Sequence, residues 1–144
     1  MNIYIDTSSL FKLYHEESGS DELLKYLEAV QSLNFFISAI TPIEFTSTLY
    51  KKLRTKEIDL NTLQVLEDCF RTDIDKFQIV PISAGISQLT SQLFSRYGQR
   101  GLRSLDALQL CSSLLVKPII DVVITSDNLL SSFFRSEGFE VFVC

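Results

Sequence analysis

The chain has 144 residues, 46% apolar and 22% charged, and its 13 Lys and Arg against 18 Asp and Glu give a formal net charge of -5. That length and composition predict one globular domain over residues 1–144, large enough to bury a core without disulfides or structural metal. The negative balance excludes a protein that coats nucleic acid by charge alone, but not one that holds a phosphodiester at a local site.

In chain order, Asn2 to Ile5 of MNIYIDTSSL reads as a short strand buried on both faces, the kind found inside a parallel sheet. Asp6 falls where it stops, and Thr7, Ser8 and Ser9 are good caps for a helix whose apolar face is Leu10, Phe11, Leu13 and Tyr14. Leu23, Leu24, Leu27 and Val30 mark a second helix from Ser20, and Phe35 to Ala39 a second strand. Thr41 as N-cap, Pro42 at the first helical position and Glu44 three residues after Thr41 predict a capping box and a helix running to about Arg54. Another helix spans about Leu60 to Lys76, followed by a strand in FQIVPI that Pro81 closes.

Ile86, Leu89, Leu93, Phe94 and Tyr97 mark an amphipathic helix that gives way to YGQRGLRS, a glycine-punctuated loop rich in arginine. Ser104 is the expected cap of a very apolar helix, LDALQLCSSLLV. Asp121 to Thr125 reads as a strand, Asp127 to Ser136 as a helix and Glu140 to Val143 as a last strand. Strands alternating with helices predict a three-layer α/β/α fold around a central, mostly parallel sheet of four to five strands.

Cys69, Cys111 and Cys144 form no CxxC pair and leave an unpaired thiol in any disulfide scheme, which fits a reducing compartment. His15 is the only histidine and reads as a surface loop residue, so zinc sites of His and Cys and most Ser-His-Asp triads are excluded. The longest apolar stretches are too short to span a bilayer, and no signal-like segment opens the chain; a soluble cytoplasmic protein with no membrane association is expected.

VVITSD repeats the opening pattern, with apolar residues leading into a hydroxyl and then Asp127 just past the strand end. Asp6 and Asp127 become neighbours if their strands are adjacent, and ligand crevices in open α/β sheets lie beyond the carboxyl ends of such strands. Glu44 and Asp106 both fall in the first turn of a helix, where the macrodipole favours an anion. Each alone has a structural explanation as a cap or turn former. Together they weigh differently, because Asp106 opens an otherwise apolar helix and a carboxylate there needs a partner or a cation.

In YIDTSSLFKLYHEESGSDEL, ISAITPIEFTSTLYKKLR, FQIVPI, RYGQRGLRSLDALQLCSSLL and VITSDNLL, over essentially its whole length, the chain resembles PIN-domain ribonucleases of the VapC toxin kind. The resemblance places that family's metal-binding acidic set on Asp6, Glu44, Asp106 and Asp127, with Thr7, Ser8 and Thr125 at accompanying hydroxyl positions. It implies a Mg²⁺- or Mn²⁺-dependent endoribonuclease leaving a 5′ phosphate and a 3′ hydroxyl, an RNA substrate, a cognate antitoxin and a homodimer.

Oxygen donors without His or Cys suit a hard divalent cation, which can orient water and offset charge at a phosphodiester. Asp6 and Asp106 are the expected direct ligands, with Glu44 and Asp127 behind them or on a second ion. Arg100 and Arg103, in the loop leading into the Asp106 helix, are candidate RNA-phosphate contacts; the KKLRTK run reads equally as a solvated helix end. Phe11, Tyr14, Tyr50, Phe133 and Phe134 exceed what the core needs, and some of them are expected to line an apolar groove for an antitoxin segment. Two rivals stand beside this reading: a receiver-like phosphoacceptor, which would need an aspartate after FQIVPI and a lysine after VVITSD, and a PIN-like binding module without turnover.

Overall fold

In the computed structural model, which describes residues 1–144, the strands are β1 (Asn2–Ile5), β2 (Asn34–Ser38), β3 (Phe77–Val80), β4 (Val122–Thr125) and β5 (Val141–Val143). The helices are α1 (Thr7–Phe11), α2 (Ser20–Glu28), α3 (Thr41–Arg54), α4 (Leu60–Asp73), α5 (Ile86–Tyr97), α6 (Ser104–Val116) and α7 (Asn128–Ser136). The strands form one five-stranded sheet in the order β3-β2-β1-β4-β5, and every pairing in it is parallel.

Alternation along the strands divides the interior. Ile3, Ile5, Val122 and Ile124 face one layer, where Leu23, Phe45, Leu49, Leu63 and Phe70 from α2, α3 and α4 cover them. Tyr4 and Val123 face the other, against Leu93, Leu110, Phe133 and Phe134 from α5, α6 and α7. This is the expected three-layer arrangement. The first two crossovers cover one face and the last two the other, so the direction in which strands are added reverses between β1 and β4, which pair in parallel through Ile3–Val122, Tyr4–Val123 and Ile5–Ile124. The crevice at such a reversal lies past the carboxyl ends of its strands, where Asp6 and Asp127 stand.

The order also removes the receiver-like reading, whose doubly wound sheet runs 2-1-3-4-5 rather than 3-2-1-4-5. No helix is long and apolar enough to cross a membrane. Two expected caps are not made. Ile40, not Thr41, occupies the N-cap of α3, and no capping-box bond forms; Arg103, not Ser104, precedes α6 without a side-chain cap. The side chains of Thr41 and Glu44 are engaged by tertiary partners instead. The N-cap of α1 is likewise Asp6 rather than one of the hydroxyl residues after it, and its side chain accepts no backbone N–H of the helix.

Of the surplus aromatics, Phe11, Phe133 and Phe134 are buried, Tyr14 packs edge-on against Phe45 and Phe70, and only Tyr50 is exposed. His15 is partly buried beside Phe11 rather than free on a loop, and its Nδ1 has no hydrogen-bond partner.

Candidate active site

Asp6 is 5% exposed at the end of β1. Its Oδ2 accepts hydrogen bonds from Ser8 Oγ at 2.5 Å and Thr125 Oγ1 at 2.7 Å. The same hydroxyls also accept from the chain after β4: Thr125 Oγ1 from the Asp127 N–H at 3.1 Å, and Ser8 Oγ from the Ser126 N–H at 3.0 Å. Two hydroxyls thereby tie the end of β1 to the end of β4 and fix the carboxylate between them. Oδ1 makes no protein hydrogen bond.

Glu44, in the first turn of α3, is held in the same manner. Its Oε2 accepts from Thr7 Oγ1 and from Gln109 Nε2, both at 2.6 Å, which leaves Oε1 free. Gln109, on α6, is 1% exposed, and its Oε1 accepts from the Tyr4 hydroxyl at 2.7 Å while its amide also reaches Thr7 Oγ1 at 3.0 Å and Thr41 Oγ1 at 3.2 Å. Tyr4, Gln109, Thr7 and Thr41 therefore form a buried polar cluster beneath Glu44. Sequence reasoning missed Gln109; its only signal was a lone amide in an apolar run, one turn after Asp106.

Asp127 Oδ1 accepts from the Leu130 N–H at 2.8 Å, the ordinary N-cap bond of α7. Its Oδ2 lies 3.5 Å from Arg103 Nη2, and Arg103 Nε donates to Asp106 Oδ2 at 3.1 Å. The guanidinium thus links the outer two carboxylates.

All four acids line one cleft of about 520 Å³, together with Lys51 and Arg103. A larger hollow of about 690 Å³ between His15 and Asp59 shares no residue with it and gathers no comparable set of acids. Arg100 is not in the cleft. Its guanidinium lies over the rings of Tyr97 and Phe133 and reaches Ser132 and Ser136 on α7.

Burial pushes the Asp6 carboxyl above its ordinary range; the Ser8 and Thr125 hydrogen bonds offset part of this, and the charge of Asp127 adds to the rise. Glu44 is raised for the same first reason, partly offset by Thr7 and Gln109, with the charges of Asp6 and Asp106 adding to it. The inner pair is therefore crowded, partly dehydrated and without a basic side chain bonded to it.

Every donor from the four acids is an oxygen, which suits Mg²⁺ or Mn²⁺. No three acidic, His or Cys side chains stand close enough together to enclose an ion. The free oxygens of Asp6 and Glu44 and the unanchored oxygen of Asp106 fit a hydrated cation held through one or two carboxylates, the mode Mg²⁺ favours, rather than an all-protein cage.

A family model described as PIN domain matches residues 3–133. The chain belongs to the PIN domain family. PIN domains are generally nucleases, and the acidic cleft lies at the carboxyl edge of this one's sheet. Solved structures share the fold. A chain in the VapBC2 complex of Rickettsia felis bound to promoter DNA is 16% identical with a TM-score of 0.66, the match covering 100% of this chain and 99% of that one. FitAcB from Neisseria gonorrhoeae is 19% identical, TM-score 0.69, over 97% and 96%. Mycobacterium tuberculosis VapC20, described as a sarcin-ricin loop cleaving toxin, is 16% identical, TM-score 0.67, over 95% of each chain. A comparison with curated protein sequences gave no match.

Proposed function

We propose that this PIN domain is a Mg²⁺- or Mn²⁺-dependent endoribonuclease and the toxin of a VapBC-type pair, acting in the cytoplasm. The observation that carries the reading is the anchoring of Asp6 and Glu44, each held through one oxygen with the other directed to no protein partner. Both carboxylates line the one cleft that gathers all four acids. Asp6 and Asp106 would hold the ion directly, with Glu44 and Asp127 behind them or on a second ion.

The bound cation would polarise a water and offset charge developing at the phosphodiester. Ser8 and Thr125 hold Asp6 against rotation, and Thr7 with Gln109 does the same for Glu44. A carboxylate whose proton affinity is raised by burial is suited to accept a proton from the attacking water. In-line hydrolysis would leave a 5′ phosphate and a 3′ hydroxyl.

The RNA strand needs cations in an acidic protein. Glu44, Thr48 and Lys51 follow one another along a single face of α3, and Lys51 makes no salt bridge, so its ammonium is free for a phosphate at the rim of the cleft. Lys51 and Thr48 also line an adjoining trough of about 310 Å³, where Lys52 is paired with Glu17 and Glu57 and Lys12 donates to the Cys144 carbonyl, so Lys51 is the cation there left for a phosphate. Arg103 stands on the opposite wall, while Arg100 would contact only RNA that extends over α7.

The antitoxin reading draws on the VapBC2 structure and on a toxin-antitoxin complex from Klebsiella pneumoniae that shares the fold, together with the exposed apolar residues Ile43, Tyr50 and Leu105, two of which border the cleft beside Glu44; the homodimer is carried over from the family resemblance. The reading without turnover, a PIN-like binding module, has one observation in its favour: Arg103 already neutralises Asp106 and Asp127.

The deciding experiment incubates the antitoxin-free chain with a mixed RNA pool plus Mn²⁺ or chelator, beside Asp106→Asn, and identifies the new RNA ends. Metal-dependent cuts with 5′ phosphates that vanish in the variant support the nuclease. Intact RNA with Mn²⁺ bound supports the binding module.

A further inference from the structure

Arg103, placed on the cleft wall for a phosphate, is already engaged by two of the cleft acids. It sits at the N-cap of α6, one turn before Asp106, and its guanidinium reaches two acids from different elements, Asp106 at 3.1 Å and Asp127 at 3.5 Å. Its side chain is 72% exposed while that of Asp106 is 15% exposed, so the cation lies over the cleft mouth and is not packed in place. Nothing else in the molecule neutralises this pair. Lys51, the other cation lining the cleft, bonds to neither.

Resting on the nuclease reading, we infer that Arg103 is an internal counter-cation that competes with the divalent ion for Asp106 and Asp127, and that the incoming ion releases its guanidinium onto the RNA phosphate. Two arrangements of one flexible side chain meet both needs. Without metal, the guanidinium offsets the repulsion of the outer carboxylates and keeps α6 and α7 in register across the cleft. With metal, the same carboxylates are neutralised from inside. The guanidinium, still tethered at the helix start, then lies beside the site and presents a planar fork of donors suited to phosphate oxygens. The inner pair, Asp6 and Glu44, takes no part in the exchange, because its anchoring comes from hydroxyls and an amide.

The test titrates Mn²⁺ into the apo protein by calorimetry or electron paramagnetic resonance, for wild type, Arg103→Gln and Lys51→Gln. The two variants lower the net charge equally, but only Arg103→Gln removes an ion pair to the cleft acids. Arg103→Gln is expected to bind Mn²⁺ roughly 2- to 5-fold more tightly, and more tightly than Lys51→Gln, while its RNA affinity in the presence of metal falls. Equal tightening in both variants would reduce the effect to net charge and overturn the inference, as would unchanged or weaker binding in Arg103→Gln. Wild type that binds no Mn²⁺ at all would instead sink the metal-nuclease reading. Because Arg103 is exposed, the fold should survive either substitution, which circular dichroism verifies.

Discussion

Gln109 Nε2 lies 2.6 Å from Glu44 Oε2, while Gln109 Oε1 accepts from the buried Tyr4 hydroxyl at 2.7 Å. A single amide on α6 thus couples the aromatic core behind the sheet to a carboxylate of the cleft. Replacing it with the similarly sized Leu removes the amide's bonds to Tyr4, Thr7, Thr41 and Glu44, leaving Tyr4 only the residue-109 carbonyl at 3.0 Å, Thr7 its bond to Glu44 and Thr41 the 3.4 Å contact with Thr7. Gln109→Leu is expected to cost about 2–3 kcal/mol in urea unfolding and to lower RNA cleavage sharply. Unchanged stability would mean that the cluster is not closed as described.

Asp6 gives a prediction of opposite sign. Its folded carboxyl is raised by burial, so the folded protein holds that proton at pH values where the unfolded chain has released it. Stability from this group is therefore greatest in acid and falls as pH rises from about 4 through the folded value. Asp6→Asn removes the cost and keeps an oxygen for Ser8 and Thr125. In chelator at pH 7 the variant should melt about 2–4 °C higher than wild type for each 1 kcal/mol relieved, with the gap closing towards pH 4. A lower melting temperature at pH 7 would contradict the electrostatic account.

Lys51 contributes to substrate affinity rather than to chemistry if the strand crosses it. Lys51→Ala should raise KM about 3- to 10-fold in steady-state cleavage with kcat changed by less than about twofold. A fall in kcat alone would place Lys51 in the reacting site.

The thiols report on the fold independently of the cleft. Cys111 is fully buried and burial pushes its thiol up to about 11, whereas Cys69 is exposed. At pH 8, Cys69 should react promptly with a chromogenic disulfide and Cys111 only after unfolding. Uniform reactivity of all three cysteines would show that α6 is not packed as described.

Much of this was legible in the chain. The strands announced themselves because β1 and β4 are short apolar runs buried on both faces, and the helices because Leu and Phe recur at helical spacing. The repeated strand-hydroxyl-aspartate pattern pointed to Asp6 and Asp127 correctly as neighbours, since β1 and β4 do pair. Local rules failed where tertiary partners outbid them. Thr41 and Glu44 fit a capping box by spacing, yet both turn to Gln109 because a buried amide offers stronger partners than a solvated helix end. Arg100 and Arg103 look alike in RYGQRGLRS, but one stacks on Tyr97 and Phe133 while the other enters the cleft, a difference set only by how α5, α6 and α7 pack. Gln109 itself carries no pattern in one sequence.

The most direct test of the acidic cleft as a metal-dependent nuclease site is single-turnover RNA cleavage by wild type and Asp6→Asn, each with saturating Mn²⁺ and with chelator. Wild type should cut only with metal, and Asp6→Asn should fail to cut under either condition while remaining folded and at least as stable. Cleavage by Asp6→Asn at the wild-type rate, or wild-type cleavage that chelator leaves untouched, would contradict it.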